Sequence, residues 1–181
     1  ASANKVMFVL DSHCDTPSQI LRLRDLSIDN DHAHVDFPKL LRGGVDGAFF
    51  ALYVPARFDS DPDKGLEYAE NLLSGVKDAV RRNSGQVAFA YAPSEAMENK
   101  AASLFSVFLG LENASPIGND ISRVKHLYDK GVRYFTLCHS SNNCICDSCA
   151  SDIKMWGGLS PFGKEVIAEM NRLGILVDVS H

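Results

Sequence analysis

Apolar runs that stop on an ionisable residue recur along this chain. Residues 6–10 are apolar and lead to Asp11, His13 and Asp15. Residues 105–111 stop at Glu112, residues 132–138, mostly apolar, stop at His139, and residues 175–179, apolar apart from Asp178, lead to His181. Continuous apolar runs of this length fit strands buried on both faces, the pattern of a parallel sheet. Strands are expected near residues 5–12, 47–54, 86–91, 104–111, 132–138 and 175–180. Between them the period changes. Leu66, Ala69, Leu72, Leu73, Val76 and Val80 recur at helical spacing, so a helix is expected over residues 66–82. Residues 120–130 read as a second helix, with Asp120 or Asn119 as N-cap and Gly131 just past the end. Ser160-Pro161 opens a third, and Gly174 closes it before the last strand. Strands alternating with helices argue for an α/β fold with a parallel sheet.

This arrangement gives the ionisable residues a common address. In a parallel sheet the C-terminal strand ends lie on one side, and in a (β/α)8 barrel that side carries the active site. His13, Asp15, Glu112, His139 and His181 are therefore expected at one mouth. Side chains two apart on a strand point the same way, so His13 and Asp15 should leave their strand together as a half-site for zinc or a similar ion. That pair alone leaves equal room for a strand running into a polar turn. Six strands fall short of the eight in a barrel, and 181 residues fall short of the usual count of about 250. The pattern is that of the front part of a (β/α)8 barrel, with the C-terminal strands absent from this chain. Residues 1–181 would form the N-terminal part of one domain.

Composition narrows the function. The chain is 45% hydrophobic and 23% charged, ordinary for a globular protein, and its net charge is −5. That charge argues against a nucleic-acid partner. There is no phosphate-binding glycine loop, and no apolar stretch approaches the roughly 18–20 residues of a membrane span. The Ala-Ser-Ala start could follow a removed segment, so the compartment stays open, with an exported or periplasmic one slightly favoured. Three of the five cysteines, Cys144, Cys146 and Cys149, crowd into one loop. Free thiols are the favoured reading there, over a metal cluster or disulfides. Cys14 and Cys138 read as packing residues, His32 and His34 as a solvated loop, and His126 as a surface residue. Asp178 reads either as a partner of a ligand or as a hydrogen-bonded buried acid.

Six segments together resemble the renal (membrane) dipeptidase family of zinc peptidases. They are Asp11-Ser-His-Cys-Asp-Thr16, Gly43-Gly-Val-Asp-Gly-Ala48, Gly110-Leu-Glu-Asn113, Gly131-Val-Arg-Tyr-Phe-Thr-Leu-Cys-His139, Gly158-Leu-Ser-Pro-Phe-Gly163 and Asn171-Arg-Leu-Gly-Ile-Leu-Val-Asp-Val-Ser-His181. The resemblance implies a (β/α)8 TIM-type barrel of the metal-dependent hydrolase kind, with two zinc ions bridged by Glu112. His13 and Asp15 would hold the first ion and His181 the second. His139 would face the substrate, where it could hydrogen-bond the oxyanion formed on the scissile carbonyl. The implied reaction is hydrolysis of a dipeptide through a hydroxide shared by the two ions. The family's further zinc-binding histidine, substrate-binding arginine and proton-transferring acid would lie beyond His181. A metal-dependent hydrolase of a lactone or cyclic amide, and a non-catalytic binding protein on a degenerate barrel, are the alternatives. The expected partner is a dipeptide, and a homodimer is left open.

Overall fold

The structure, a computed structural model, describes residues 7–22 and 24–181. Its strands are parallel and alternate with helices, as the apolar pattern requires. Two compact units share the chain: the described residues through Ala51 with Leu72–Phe108, and Leu52–Asn71 with Leu109–His181.

The first unit opens with strand β1 (Leu10–Cys14) and helix α1 (Thr16–Ile20), followed by α2 (Phe37–Arg42) and the start of β2 (Gly47–Tyr53). It continues with the second part of α3 (Pro62–Arg82), then β3 (Val87–Phe89), α4 (Pro93–Ala101) and the start of β4 (Phe105–Glu112). Strand β1 pairs with β2, Leu10 opposite Gly47, and β3 pairs with β4, Val87 opposite Phe105. The start of β4 also bonds the segment entering β2, Ser106 N–H donating to Asp46 carbonyl at 2.9 Å. Helix α2 forms because Asp36 caps it through the Lys39 N–H and Pro38 lies in its first turn. The buried Asp36 carboxylate also holds the Lys39 ammonium at 2.6 Å. The first residue of that helix, Phe37, packs against Phe50 and Phe105, with ring centroids 6.4 and 6.2 Å away.

The second unit holds the ends of β2 and β4, the first part of α3, α5 (Ser122–Asp129), β5 (Val132–Thr136), α6 (Pro161–Leu173) and β6 (Leu176–Asp178). Val54 N–H donates to Glu112 carbonyl at 3.0 Å where β2 ends beside β4. Strand β5 pairs with β4, Glu112 opposite Thr136, and β6 pairs with β5, Thr136 opposite Asp178. Every position of β4 is buried, which explains why it is apolar or glycine apart from Ser106 and the terminal Glu112. At Gly110 a Cβ would stand 2.0 Å from the Tyr134 ring, so the residue before Leu111 must be small for β5 to lie there. Helix α6 opens on Ser160, whose Oγ accepts from Gly163 N–H at 2.8 Å. It closes on Gly174 in the left-handed region at φ 80°.

All six expected strands exist, but the first and last differ from the reading. Residues 5 and 6 of the expected first strand lie outside the described residues. Strand β1 begins only at Leu10 and is mostly exposed rather than buried on both faces. Val9 is committed elsewhere: its N–H donates to Asp46 Oδ2, and its carbonyl accepts from Asp46 and Gly47. Strand β6 stops at Asp178, and Val179 is exposed. The expected cap of α5 also moves. Asp120 accepts from the N–H and hydroxyl of Ser122, forming a local turn that delays the helix by two residues. Among the described residues, no helix is long and apolar enough to cross a membrane.

Candidate metal centre

Glu112, His139 and His181 follow the parallel strands β4, β5 and β6, and the second unit brings them together. Glu112 is the last residue of β4 and is 5% exposed. His139 Nε2 lies 3.6 Å and His181 Nε2 3.4 Å from the same oxygen, Glu112 Oε1. The two imidazole rings are 4.2 Å apart between centroids. These separations exceed hydrogen-bond length. They match the edge of a coordination shell instead, since donors about 2.0–2.2 Å from a tetrahedral zinc stand roughly 3.3–3.6 Å from each other. Two imidazoles and a carboxylate are also the donor types that suit zinc. The residues present therefore fit a metal ion.

Each of the three is held by its surroundings. Asn113, next to Glu112, is buried and takes a left-handed conformation at φ 71°. Asparagine tolerates that region better than most residues because its short amide can bond locally. Its Nδ2 donates to Val54 carbonyl at 2.9 Å and to Asp59 Oδ1 at 2.8 Å. Its Oδ1 accepts from Ser115 N–H and from Asn143 Nδ2. Asn143 in turn donates to Leu137 carbonyl and accepts from the N–H groups of Ile145 and Cys146. One buried amide pair thus joins the turn after β4 to the loop after β5. The His139 ring packs against Tyr53 at 4.8 Å, and its Nδ1 meets Ser140 Oγ at 2.9 Å. Toward His181, Thr136 donates to Asp178 Oδ2 at 2.6 Å, while Asp178 Oδ1 accepts from the N–H and hydroxyl of Ser180. Asp178 is a hydrogen-bonded acid that shapes the approach to His181.

The loop after His139 is ordered by Asp147. Partial burial opposes its charge, but backbone N–H groups of Trp156, Gly157, Met155 and Gly158 converge on the carboxylate and hold it below the usual range. All five cysteines are free thiols. Cys14 and Cys138 are buried as packing residues, and Cys138 also shares a thiol hydrogen bond with Cys146 that lowers its pKa.

In the first unit, His13 in β1 and Asp15 just after it come together, Nε2 to Oδ1 at 3.5 Å. Asp15 lies beyond the strand with φ −84° and ψ 13°, so the turn into α1, rather than strand alternation, sets the pair side by side. Asp15 also starts α1, its carbonyl accepting from Ser18. His32 lies in a polar loop, with its N–H on Asn30 Oδ1. His126 is exposed but bonds Glu70 Oε1 at 2.7 Å, a pairing across 56 residues that its neighbours in sequence do not reveal. The residues missed by sequence reasoning are Tyr53, Asn113, Asn143 and Ser148. Asn113 alone carried a signal, as the last residue of the Gly110-Leu-Glu-Asn113 segment.

A model of the family described as membrane dipeptidase, peptidase family M19, matches residues 2–181. Dipeptidase verJ of Clonostachys rogersoniana is 34% identical over 157 residues, covering 82% of this chain and 40% of that protein. Dipeptidase aclJ of Aspergillus oryzae is 30% identical over 171 residues, covering 91% of this chain and 40% of that protein. The chain therefore spans about two-fifths of the length of these curated relatives. Among solved structures, the probable dipeptidase PvdM from Pseudomonas aeruginosa superposes with a TM-score of 0.84 at 25% identity, covering 98% of this chain and 48% of that one. A metallo peptidase from Rhodobacter sphaeroides, solved with a phosphinate mimic of the dipeptide L-Ala-D-Ala, shares the fold at TM-score 0.81 and 24% identity, covering 97% and 59%. With the family model matching nearly end to end, the chain belongs to the membrane dipeptidase family of metallopeptidases, M19.

Proposed function

We propose that the protein to which this chain belongs is a zinc dipeptidase. The observation that carries the reading is the buried Glu112 carboxylate with His181 Nε2 at ligand-shell spacing, 3.4 Å, from Oε1, and His139 Nε2 beside the same oxygen at 3.6 Å. In this reading two zinc ions are bound. By the family motif, His13 and Asp15 would hold the first, His181 would hold the second, and Glu112 would serve both. When bound, zinc supplies Lewis-acid polarisation of the scissile carbonyl and acidifies water to a pKa near 7.

The chain's own residues then have separate roles. Glu112 fixes the metal spacing. His139 is kept as a hydrogen-bond donor to the oxygen that gains charge in the transition state. Ser140 suits that role: a hydroxyl donating to His139 Nδ1 leaves the proton of a neutral imidazole on Nε2, the nitrogen that faces Glu112. The Tyr53 ring restricts how far that imidazole can turn.

The test uses the full-length protein, stripped by a chelator and reloaded with zinc. Two ions per chain and hydrolysis across a panel of dipeptides are expected. Absence of zinc uptake would favour a binding protein on a degenerate barrel. Turnover of lactones or cyclic amides, with dipeptides untouched, would reassign the substrate.

A further inference from the structure

His139 and His181 come from different strands, yet two adjacent residues tie both backbones. The Ser148 hydroxyl donates to the His139 carbonyl at 2.6 Å and lies 3.3 Å from the His181 carbonyl. The next N–H along the chain, that of Cys149, donates to the same His181 carbonyl at 2.7 Å. Ser148 is buried, and its own place is set by other bonds. Its N–H donates to Asn142 Oδ1 at 2.8 Å, and its oxygen accepts from Ala150 N–H at 3.1 Å. The hydroxyl proton is therefore directed at the two histidine carbonyls, with His139 the nearer.

We infer that Ser148 is a positioning residue for the metal centre: its hydroxyl holds the His139 and His181 backbones together so that both imidazoles meet Glu112 Oε1. The inference rests on the proposed metal-binding reading of that cluster. Its physical basis is tolerance. For His181, the proposed ligand, metal–ligand distances must hold within about 0.2 Å; for His139, the proposed oxyanion donor, the ring must stay aimed at the reacting oxygen; each imidazole follows its backbone. A single proton shared by two carbonyls constrains both histidines, whereas Ser140 constrains only the ring beside it. Partners of metal ligands typically change metal affinity or activity by roughly 10–100-fold when removed.

The experiment compares wild type, Ser148→Ala, Ser148→Thr and Ser148→Val in the full-length protein. Threonine and valine have nearly the same volume and differ in the hydroxyl, so this pair separates hydrogen bonding from packing even if the extra carbon disturbs the loop. Zinc affinity is read by chelator competition, folding by thermal melting, and kcat and KM with a dipeptide. The expected result is a loss of zinc affinity of about tenfold or more for Ser148→Val relative to Ser148→Thr, with similar melting temperatures. Ser148→Ala should lose affinity relative to wild type in the same way. Equal zinc affinity in the threonine and valine variants would overturn the assignment, and so would wild-type affinity in Ser148→Ala. A wild type that takes up no zinc would overturn the metal reading and Ser148's role with it. A threonine–valine split in zinc affinity without dipeptide turnover would keep Ser148's role and remove only the proposed substrate.

Discussion

Glu112 and His139 face one another across 3.6 Å and differ in what their loss should do. A carboxylate that bridges ions is needed for both metal retention and turnover. Glu112→Ala in the full-length protein should therefore lower metal content and remove most activity together, measured by metal analysis and dipeptide hydrolysis on the same sample. Near-normal turnover with two ions still bound would refute the bridging role. His139 should separate the two readouts. As an oxyanion donor, its replacement in His139→Ala should cost about 2.7–4 kcal/mol of transition-state stabilisation, a hundredfold or more in rate, while zinc stays bound. The measurement matters because His139 lies in the same cluster of ligand atoms as Glu112 and His181. Metal lost in proportion to activity would make His139 a ligand.

Secondary-structure elements position this centre through close backbone approaches. The first turn of α6 rests on the loop after β5: Ser160 N–H donates to Ile145 carbonyl at 2.9 Å, and Ser160 Oγ donates to Cys144 carbonyl at 2.6 Å. At Gly163 a Cβ would stand 2.1 Å from the Ile145 carbonyl oxygen, so only glycine lets the helix lie there. Gly163→Ala should destabilise the protein by about 1–3 kcal/mol or more, since backbone rather than a flexible side chain must give way. Gly85→Ala is the control, with nothing within 4 Å of the new carbon, and should stay within about 0.5 kcal/mol of wild type. Urea unfolding of the two variants checks the contrast, and equal midpoints would show that the α6 contact is not tight. The ends of α6 were legible in the chain because Ser160, Pro161 and Gly174 act locally. The start of β1 was not, because Asp46, 37 residues away from Val9, claims that residue's N–H.

Across the whole molecule, many carboxylates titrate lower folded than free. A hydrogen bond from His126 lowers Glu70, helped by Lys130 against partial burial. Arg172 lowers Glu169, and the Ser122 hydroxyl and N–H lower Asp120. Burial opposes the charge of Asp36, but Lys39 and backbone N–H groups outweigh it. With these folded values below the ordinary 3.8 for Asp and 4.5 for Glu, the unfolded chain binds more protons than the folded one in that range. These groups therefore contribute stability that is fully present above their ordinary values and is lost as pH falls through the lowered ones. Urea midpoints should hold nearly level from about pH 7 to 5 and then drop steadily toward about pH 2. A midpoint unchanged between about pH 5 and 3 would contradict this.

The division between sequence and tertiary structure follows from the range of the forces. Burial and helix capping repeat with short periods, so the apolar runs ending at Glu112, His139 and His181 announced both the strands and the residues at their ends. His13 and Asp15 do meet, but through the turn into α1 rather than through strand alternation. The polar scaffold has no period. Asn143 finds Asn113 thirty residues away, Ser148 finds the His181 carbonyl thirty-three away, and Tyr53 meets the His139 ring. Such partners exist only once the strands have brought distant loops together. Which donors stand at the strand ends was thus determined by the sequence alone. Which nitrogen faces Glu112, and what holds it there, only the tertiary structure decided, because a hydrogen bond between distant loops leaves no pattern in either loop.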